Sequence, residues 1–530
     1  MPTDCITFQS SGYFTPIMNN YLERKPHLNE LYNRFPTLES FGEQFKEKQA
    51  QFNAETRMVL VTELQKQYAN VPTSELTNLH INLLKSNSTF TVTTGHQLNL
   101  FTGPLYFLYK IISTINLCKE LKAHYPEQNF VPIYWMATED HDFEEINYFN
   151  FKGKNIRWNN DATGPVGRFS TAGLQDVFEV FALELGNSLL ATTIKNLFEA
   201  AYLQHENLSD ATRYLANALF GKYGLVILDA DRSELKRQFI PFVKDELLHQ
   251  TAFQKVTETI AQLKAYPIQV QPREINLFYI EDRLRARIVF ENGIYKVLDT
   301  TIQFSEAEIL LELEEHPEQF SPNVIMRPLY QEVILPNLCY IGGGGEIAYW
   351  LELKSYFEAS KIPFPILLLR NSALLVSEKQ AKKADKLGLS WADLFAKQTQ
   401  LLTAQTQLVS EFPIDLTAQK QVLKAQFEAL KRLAMQTDKS FLGAVNAQET
   451  KQIKGLAHLE KRLLKAQKRH YADLLSRITE LQNELFPNQS LQERQANFST
   501  YYLENGELLL SQLMAELQPL AQNFNVLVLP

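Results

Sequence analysis

Three short polar stretches carry the residue types that acid–base and anion chemistry need. The first is Thr94-Gly95-His96-Gln97, followed by Asn99 and by Gly103-Pro104. A glycine turn lets backbone N–H groups face a ligand, a helix opening at Pro104 adds a positive dipole end, and His96 can donate to a phosphate as charge builds on it. The same residues also read as a capped bend with a satisfied surface histidine. The second stretch, Glu139-Asp140-His141-Asp142-Phe143-Glu144-Glu145, holds five carboxylates in seven residues. Crowded carboxylates raise one another's pKa, and histidine as a type titrates near neutrality, so Glu139, Asp140, His141 and Asp142 suit proton transfer or the binding of an amine. Read as structure alone, Asp142 caps a helix and Glu144 and Glu145 fill its first turn, which leaves Glu139, Asp140 and His141 unexplained. Spacing does not make His141 and a neighbouring carboxylate a metal site, and no metal site is expected.

The third stretch is Gly342-Gly343-Gly344-Gly345-Glu346-Ile347-Ala348. Gly343, Gly345 and Ala348 satisfy G-x-G-x-x-A, but the following strand ends in Arg370 where a dinucleotide site calls for an acid. The turn reads equally as a tight bend or as a place where backbone and Glu346 approach a ligand. Arg327 and Arg370 stand alone beside strand-like runs, and each suits either a bidentate grip on carboxylate or phosphate or a pairing with a core acid. No G-x-x-x-x-G-K-[ST] occurs, so a P-loop is excluded.

The elements that must position these residues follow from hydrophobic spacing. Phe90 to Thr93 is β-prone, Leu105, Leu108, Ile111, Ile112 and Ile115 share one helical face, and Phe130 to Ala137 is a second buried run. Together they predict a right-handed βαβ crossover, with the first two polar stretches where its strands end. Leu225 to Asp229 adds a third such strand, ending in Asp229, Asp231 and Arg232. Residues 268 to 299 alternate apolar and polar around Asn292-Gly293, a type I′ hairpin signal. From about Ser377 the composition turns to Ala, Lys, Gln, Leu and Glu. The run from Glu449 to Leu485, about 54 Å long if continuous at ~1.5 Å per residue, predicts an antiparallel coiled coil and a dimer contact. The expected organisation is an arm and helices over 1–88, core over 89–150, a mainly helical insertion over 151–220, and a core strand over 221–235. A second insertion with a β-hairpin follows over 236–323, core resumes over 324–376, coiled coil runs over 377–486, and 487–530 returns to the core.

Composition narrows the function classes. With 530 residues several structural units are expected, and a net charge of -8 without a compensating basic block disfavours a nucleic-acid partner. Cys5, Cys118 and Cys339 lack CxxC spacing, so neither a disulfide framework nor zinc is expected. The opening MPTDCITFQSSGYF has no basic region before an apolar core, and no apolar run approaches about 18 residues. A cytoplasmic protein with no membrane partner is the expectation.

The strings TGHQLNLFTGPLYFLYKI, WMATEDHDFEEIN, LDADRSELK, RPLYQEVILPNLCYIGGGGEIAYWLELK and PFPILLLRNS, in this order, resemble the cysteine-adding family of bacillithiol biosynthesis. The likeness covers most of the chain. It implies an α/β fold with a Rossmann-type, class I aminoacyl-tRNA synthetase-like nucleotide-binding core, two inserted connecting segments and a C-terminal helical coiled coil used for homodimerisation. It implies a ligase that joins cysteine to the amine of glucosaminyl-malate with ATP, ADP being a product or bound ligand and magnesium accompanying the nucleotide. In that scheme Thr94, Gly95, His96, Gln97 and Gly103 handle phosphate, and cysteine is adenylylated there. Glu139, Asp140 and Asp142, with His141, receive the amine, and Gly343, Gly345 and Glu346 form a later ligand-contacting turn. Two other classes remain open on the residues: a non-catalytic nucleotide-binding scaffold acting through its coiled coil, and a dinucleotide oxidoreductase at Gly342–Gly345.

Overall fold

A computed structural model describes Met1 and residues 3–530, which divide into two compact units: residues 4–374 with 491–530, and residues 375–490 with Met1 and Thr3. The larger unit is built on a five-stranded parallel sheet of β1 (Thr89–His96), β2 (Asn129–Met136), β3 (Val226–Asp229), β4 (Asn337–Gly342) and β5 (Ile366–Leu369). Its spatial order is β5-β4-β1-β2-β3, so the chain works outward from β1 on one side and then reverses to the other. This is the Rossmann-type order, and the reversal leaves a crevice between the carboxyl ends of β1 and β4. The register pairs His96 with Met136, Met136 with Asp229, and Gly342 with Leu369, so the strand ends come out nearly level.

The strands read as apolar runs because both faces are covered. Helix α1 (Tyr106–His124) crosses from β1 to β2, and almost its whole circumference is buried, not only the predicted stripe. Phe41, from the helix Leu38–Gln51, joins Leu117 and Leu121 of α1 in one cluster with Phe90, Leu338, Ile341 and Leu368 of the strands. The C-terminal strand Asn523–Leu529 pairs antiparallel with Asp4–Thr7.

The excursions differ in detail from expectation. The first carries a short antiparallel pair, Tyr148–Phe151 with Lys154–Arg157, before three helices ending at Phe220. The second contains more than a hairpin: five short strands form an antiparallel sheet, with Leu284–Glu291 at its centre. At its turn Asn292 and Gly293 take φ of 53° and 80°, the two left-handed residues that a type I′ turn requires.

In the smaller unit the long helix begins ten residues before the predicted Glu449, because Asp438 accepts from the Ser440 and Phe441 N–H groups and caps it. It runs Lys439–His470 and, after an irregularity at Tyr471, continues as Ala472–Leu485. Its partner lies in the same chain. The helix Thr417–Ala434 packs on it around Phe427, Ala434 and Val445. Lys420 meets Glu460 and Lys431 meets Glu449, which fixes the pair as antiparallel.

Candidate functional site

Over the crevice between β1 and β4 lies a hollow of about 410 Å³. The turn after β1 contributes Gly95, His96 and Gln97, and the turn after β4 contributes Gly343, Gly344, Gly345 and Glu346. Four cations line it, Lys110, Arg327, Arg370 and Arg494, against the single carboxylate of Glu346. That imbalance favours an anion, since a low-dielectric cleft strengthens the field of each charge.

Lys110, on α1, is buried and holds the two turns together. Its Nζ donates to the Gly95 carbonyl at 2.6 Å and pairs with Glu346 at 2.6 Å. Glu346 sits in the first turn of α2 (Gly344–Leu351) and also accepts from the Gly343 N–H at 2.7 Å and from the Tyr340 hydroxyl at 2.9 Å. Burial works to raise its pKa, but Lys110 and these donors outweigh it and keep the carboxyl ionised. A Cβ at Gly95 would lie 3.1 Å from the Tyr340 hydroxyl, a tight contact that the tyrosine would have to yield to by a few tenths of an ångström.

Two buried nitrogens on the wall have no protein partner among the described residues: Nε2 of His96 and Nε of Arg370. The rest of the Arg370 guanidinium is committed, with Nη2 donating to Glu493 at 2.8 Å and Nη1 to Ser372 at 3.1 Å. Its Nε lies 3.9 Å from where a side chain on Gly343 would begin. Burial, with Lys110 adding to it, holds the His96 imidazole well below its ordinary pKa. The ring is therefore neutral at physiological pH, and since its one N–H goes to the Thr102 backbone, Nε2 is left as an acceptor.

The acidic loop after β2 lies beside this hollow and is tied to it. Gln97 Nε2 donates to Asp140 Oδ2 at 3.0 Å and to Glu145 at 2.9 Å. Although burial works to raise the Asp140 pKa, His141, Gln97 and Arg285 hold the carboxyl below the usual range. Glu139 pairs with buried Lys236 at 2.6 Å, and burial raises its pKa against that pairing. Glu139 and Asp140 line a second hollow that shares Trp135, Ala137, Val324 and Arg327 with the first.

The predicted residues thus fall into three groups. Gly95, His96, Gln97, Arg327, Gly343, Gly345, Glu346 and Arg370 line the first hollow, and Glu139, Asp140 and Arg327 the second. His141 lies at the rim, half exposed, with Nδ1 accepting from Arg285 Nη1 at 2.7 Å. Thr94, Gly103 and Asp142 line neither hollow. Thr94 donates to the Ile341 carbonyl at 2.7 Å and so ties β1 to β4. Asp142 precedes the short helix Phe143–Ile146, is exposed, and makes no side-chain capping bond, because its backbone does not take a capping conformation.

Gly103 ends a turn in which Phe101, Thr102 and Gly103 all take positive φ, of 47°, 69° and 62°. A β-branched residue in that region is strained, and neighbours hold it there. Asn497 Nδ2 donates to the carbonyls of Phe101 and Gly103 at 2.7 and 2.6 Å. The predicted phosphate-facing helix end is spoken for too: the Leu105 N–H bonds the Ala496 carbonyl, and those of Phe107 and Leu108 bond carbonyls one turn back. Sequence reasoning missed Lys110, Arg494, Glu493 and Asn497. The one available signal was Lys110 within an otherwise apolar helix face.

Among the described residues no three His, Cys, Asp or Glu side chains gather as a metal ion requires, and no helix is long and apolar enough to cross a membrane.

Two family models match the chain. One, described as the N-terminal Rossmann-like domain of bacillithiol biosynthesis BshC, covers residues 1–371, and the other, the C-terminal coiled-coil domain of BshC, covers residues 373–529. Curated relatives named "Putative cysteine ligase BshC" are similar end to end. That of Flavobacterium johnsoniae is 64% identical over 100% of both chains. Those of Flavobacterium psychrophilum and Christiangramia forsetii are 62% and 56% identical, each over 99% of both chains.

Proposed function

The chain belongs to the BshC family of bacillithiol biosynthesis, and on that premise we propose that it is an ATP-dependent cysteine ligase. It joins the carboxyl of cysteine to the amine of glucosaminyl-malate in the last step toward bacillithiol. The observation that carries this reading is the hollow at the switch point. There, four cations and two buried nitrogens without protein partners, one a donor on Arg370 and one an acceptor on His96, lie beside a bare glycine turn.

ATP supplies the activated state of the cysteine carboxyl, and a magnesium ion accompanies its phosphates. The residues divide the remaining work. Arg370 Nε donates to a phosphate oxygen, the neutral His96 accepts at Nε2 from a ligand hydroxyl or N–H, and Arg327 and Arg494 add positive charge as negative charge moves onto the leaving group. Lys110 and Glu346 neutralise each other and fix the spacing of the two turns. Arg327, on the wall common to both hollows, places the acyl carbon within reach of an amine arriving over the acidic loop. Asp140, kept ionised, orients that amine by accepting a hydrogen bond, since a carboxylate held so low is a weak base. As the amide C–N bond forms, the acyl C–O bond to the activating phosphate breaks, the leaving oxygen departs on that phosphate, and the attacking nitrogen gives its proton to solvent water.

The reading places the protein in the cytoplasm, with small molecules as its partners, and as a homodimer through the coiled-coil unit. Val422, Leu433, Met435 and Leu459 are each more than half exposed on those helices, which supports a helix-to-helix contact between two copies. The direct test is incubation of the purified chain with cysteine, ATP and glucosaminyl-malate, read by mass spectrometry. Bacillithiol formed only when all three are present is the expected result. Absence of the thiol, together with an unchanged bacillithiol level when the gene is deleted in a producing host, overturns it.

A further inference from the structure

The second hollow, about 470 Å³, lies over the end of β2 and is walled on its far side by the antiparallel sheet of the second insertion. Alternate residues of a strand share a face, so Arg285 and Arg287 on Leu284–Glu291 point the same way, with Phe278 directly across from Arg287. Arg273 enters from the preceding loop. That loop is pinned: Asn276 Nδ2 donates to the Arg273 carbonyl and to the buried Glu246 carboxylate, both at 2.7 Å, and Asn276 Oδ1 accepts from the Arg273 N–H at 3.1 Å.

The charges in this hollow are unevenly committed. Arg285 donates to His141 and lies 3.9 Å over the Phe278 ring. Glu139 is neutralised by Lys236, and Asp140 is occupied by Gln97 and the His141 N–H. The guanidiniums of Arg273 and Arg287 have neither carboxylate nor hydrogen-bond partner among the described residues. Beside them Ile275, Leu277 and Phe278 give an apolar surface. Two unpaired forks next to a small apolar wall match a short carbon chain bearing two carboxylates.

We infer that this hollow is a dicarboxylate subsite in which Arg273 and Arg287 hold the two carboxylates of the acceptor's malyl group. The subsite rests on the ligase reading for the acceptor's identity. It adds where that acceptor is anchored: on the second insertion, across Arg327 from the activated carboxyl. Nucleotide phosphates are the other anion such forks accept, so the test separates the two.

The probes are L-malate and ADP, titrated calorimetrically into the full-length chain, wild type and Arg273→Gln/Arg287→Gln. Both arginines are at least partly exposed, so the substitutions strand no buried charge. Arg287→Lys and the single Arg273→Gln serve as further variants should the double variant prove unstable. L-malate is expected to bind the wild type at millimolar concentration and about tenfold or more weaker to the double variant, with ADP affinity unchanged. In turnover the KM for glucosaminyl-malate rises by about the same factor, while the KM values for cysteine and ATP stay within about twofold. Failure of the wild type to bind L-malate, equal binding by the variants, or loss of ADP binding in its place overturns the proposal. Malate binding needs no turnover, so arginine-dependent binding without any ligation would sink the ligase reading and leave the subsite standing.

Discussion

Gln97 Nε2 lies 3.0 Å from Asp140 Oδ2, and this one hydrogen bond joins the loop leaving β1 to the loop leaving β2. It is also one of the contacts that keep Asp140 ionised. Replacing Gln97 by Leu removes the donor without removing the carboxylate. Asp140 then titrates higher and loses its fixed direction, and kcat is expected to fall about tenfold, with the KM for ATP within about twofold. Steady-state kinetics with each substrate varied in turn checks this. An equal change in every parameter would point to general loosening.

His96 is expected to act as a neutral acceptor at Nε2. Since burial depresses its pKa well below the ordinary value, protonating it requires pH below the usual histidine range. The pH–rate profile of the wild type therefore carries no inflection from His96 between about pH 6 and 8. His96→Ala lowers kcat/KM about tenfold, the size of effect expected for the loss of one ligand hydrogen bond. A wild-type inflection near pH 6.5 that disappears in the variant would contradict this.

Lys110 tests the joint between the two turns. Its side chain is 4% exposed and that of Glu346 28%, so Lys110→Met leaves a partly shielded carboxylate without its cation. The expected cost is about 1–2 kcal/mol of stability, since Glu346 keeps its Gly343 and Tyr340 donors and some solvent. Lys110→Met/Glu346→Gln recovers part of that loss, since no buried charge is left behind. Urea unfolding of the single and double variants measures the difference.

Stability is also expected to depend on Glu352, which is 1% exposed and accepts from the backbone N–H groups of Gln269 and Val270 at the start of the loop that carries Arg273. Burial raises its pKa from 4.5 to about 7. Between those values the folded state holds a proton that the unfolded state has lost, so its contribution is complete below about pH 4.5 and is lost as pH rises toward 7. The shift corresponds to about 3 kcal/mol. Glu352→Gln removes this titration, and the fall in unfolding free energy from pH 5 to pH 8 should be smaller in the variant by about that amount.

The coiled-coil unit separates two roles for apolar residues. Phe427 is buried in the antiparallel seam, and Phe427→Ala should destabilise that unit by about 3 kcal/mol. Val422 and Leu459 are exposed, and Val422→Glu/Leu459→Glu should leave helix content unchanged while shifting sedimentation from dimer to monomer. A wild type that sediments as a monomer removes the dimer from the reading.

How much of this was visible in the sequence varies from residue to residue. The strand ends, the glycine turn and the Asn292-Gly293 hairpin depend on local periodicity and backbone preference, which a short window contains. Lys110 was not legible as a site residue, because a lone lysine in an apolar helix ordinarily marks the solvent side. Arg285 and Arg287 alternate with apolar neighbours as any half-exposed strand does, and only the sheet's position turns that face toward a cavity. Glu493, Arg494 and Asn497 lie more than a hundred residues beyond β5, and nothing nearby in the chain signals the turns they support. The first turn of α1 misled for a related reason: its N–H groups look free until the Ala496 carbonyl is placed.

Asn497 clamps the strained Phe101–Gly103 turn, and Glu493 neutralises Arg370. During translation, therefore, β1 to β5 can all leave the ribosome before the residues that shape the first hollow have been made. The nascent polypeptide carries an unbalanced guanidinium and an unclamped bend until its last forty or so residues emerge, so a message cut short before that point yields a chain that lacks the contacts shaping this hollow.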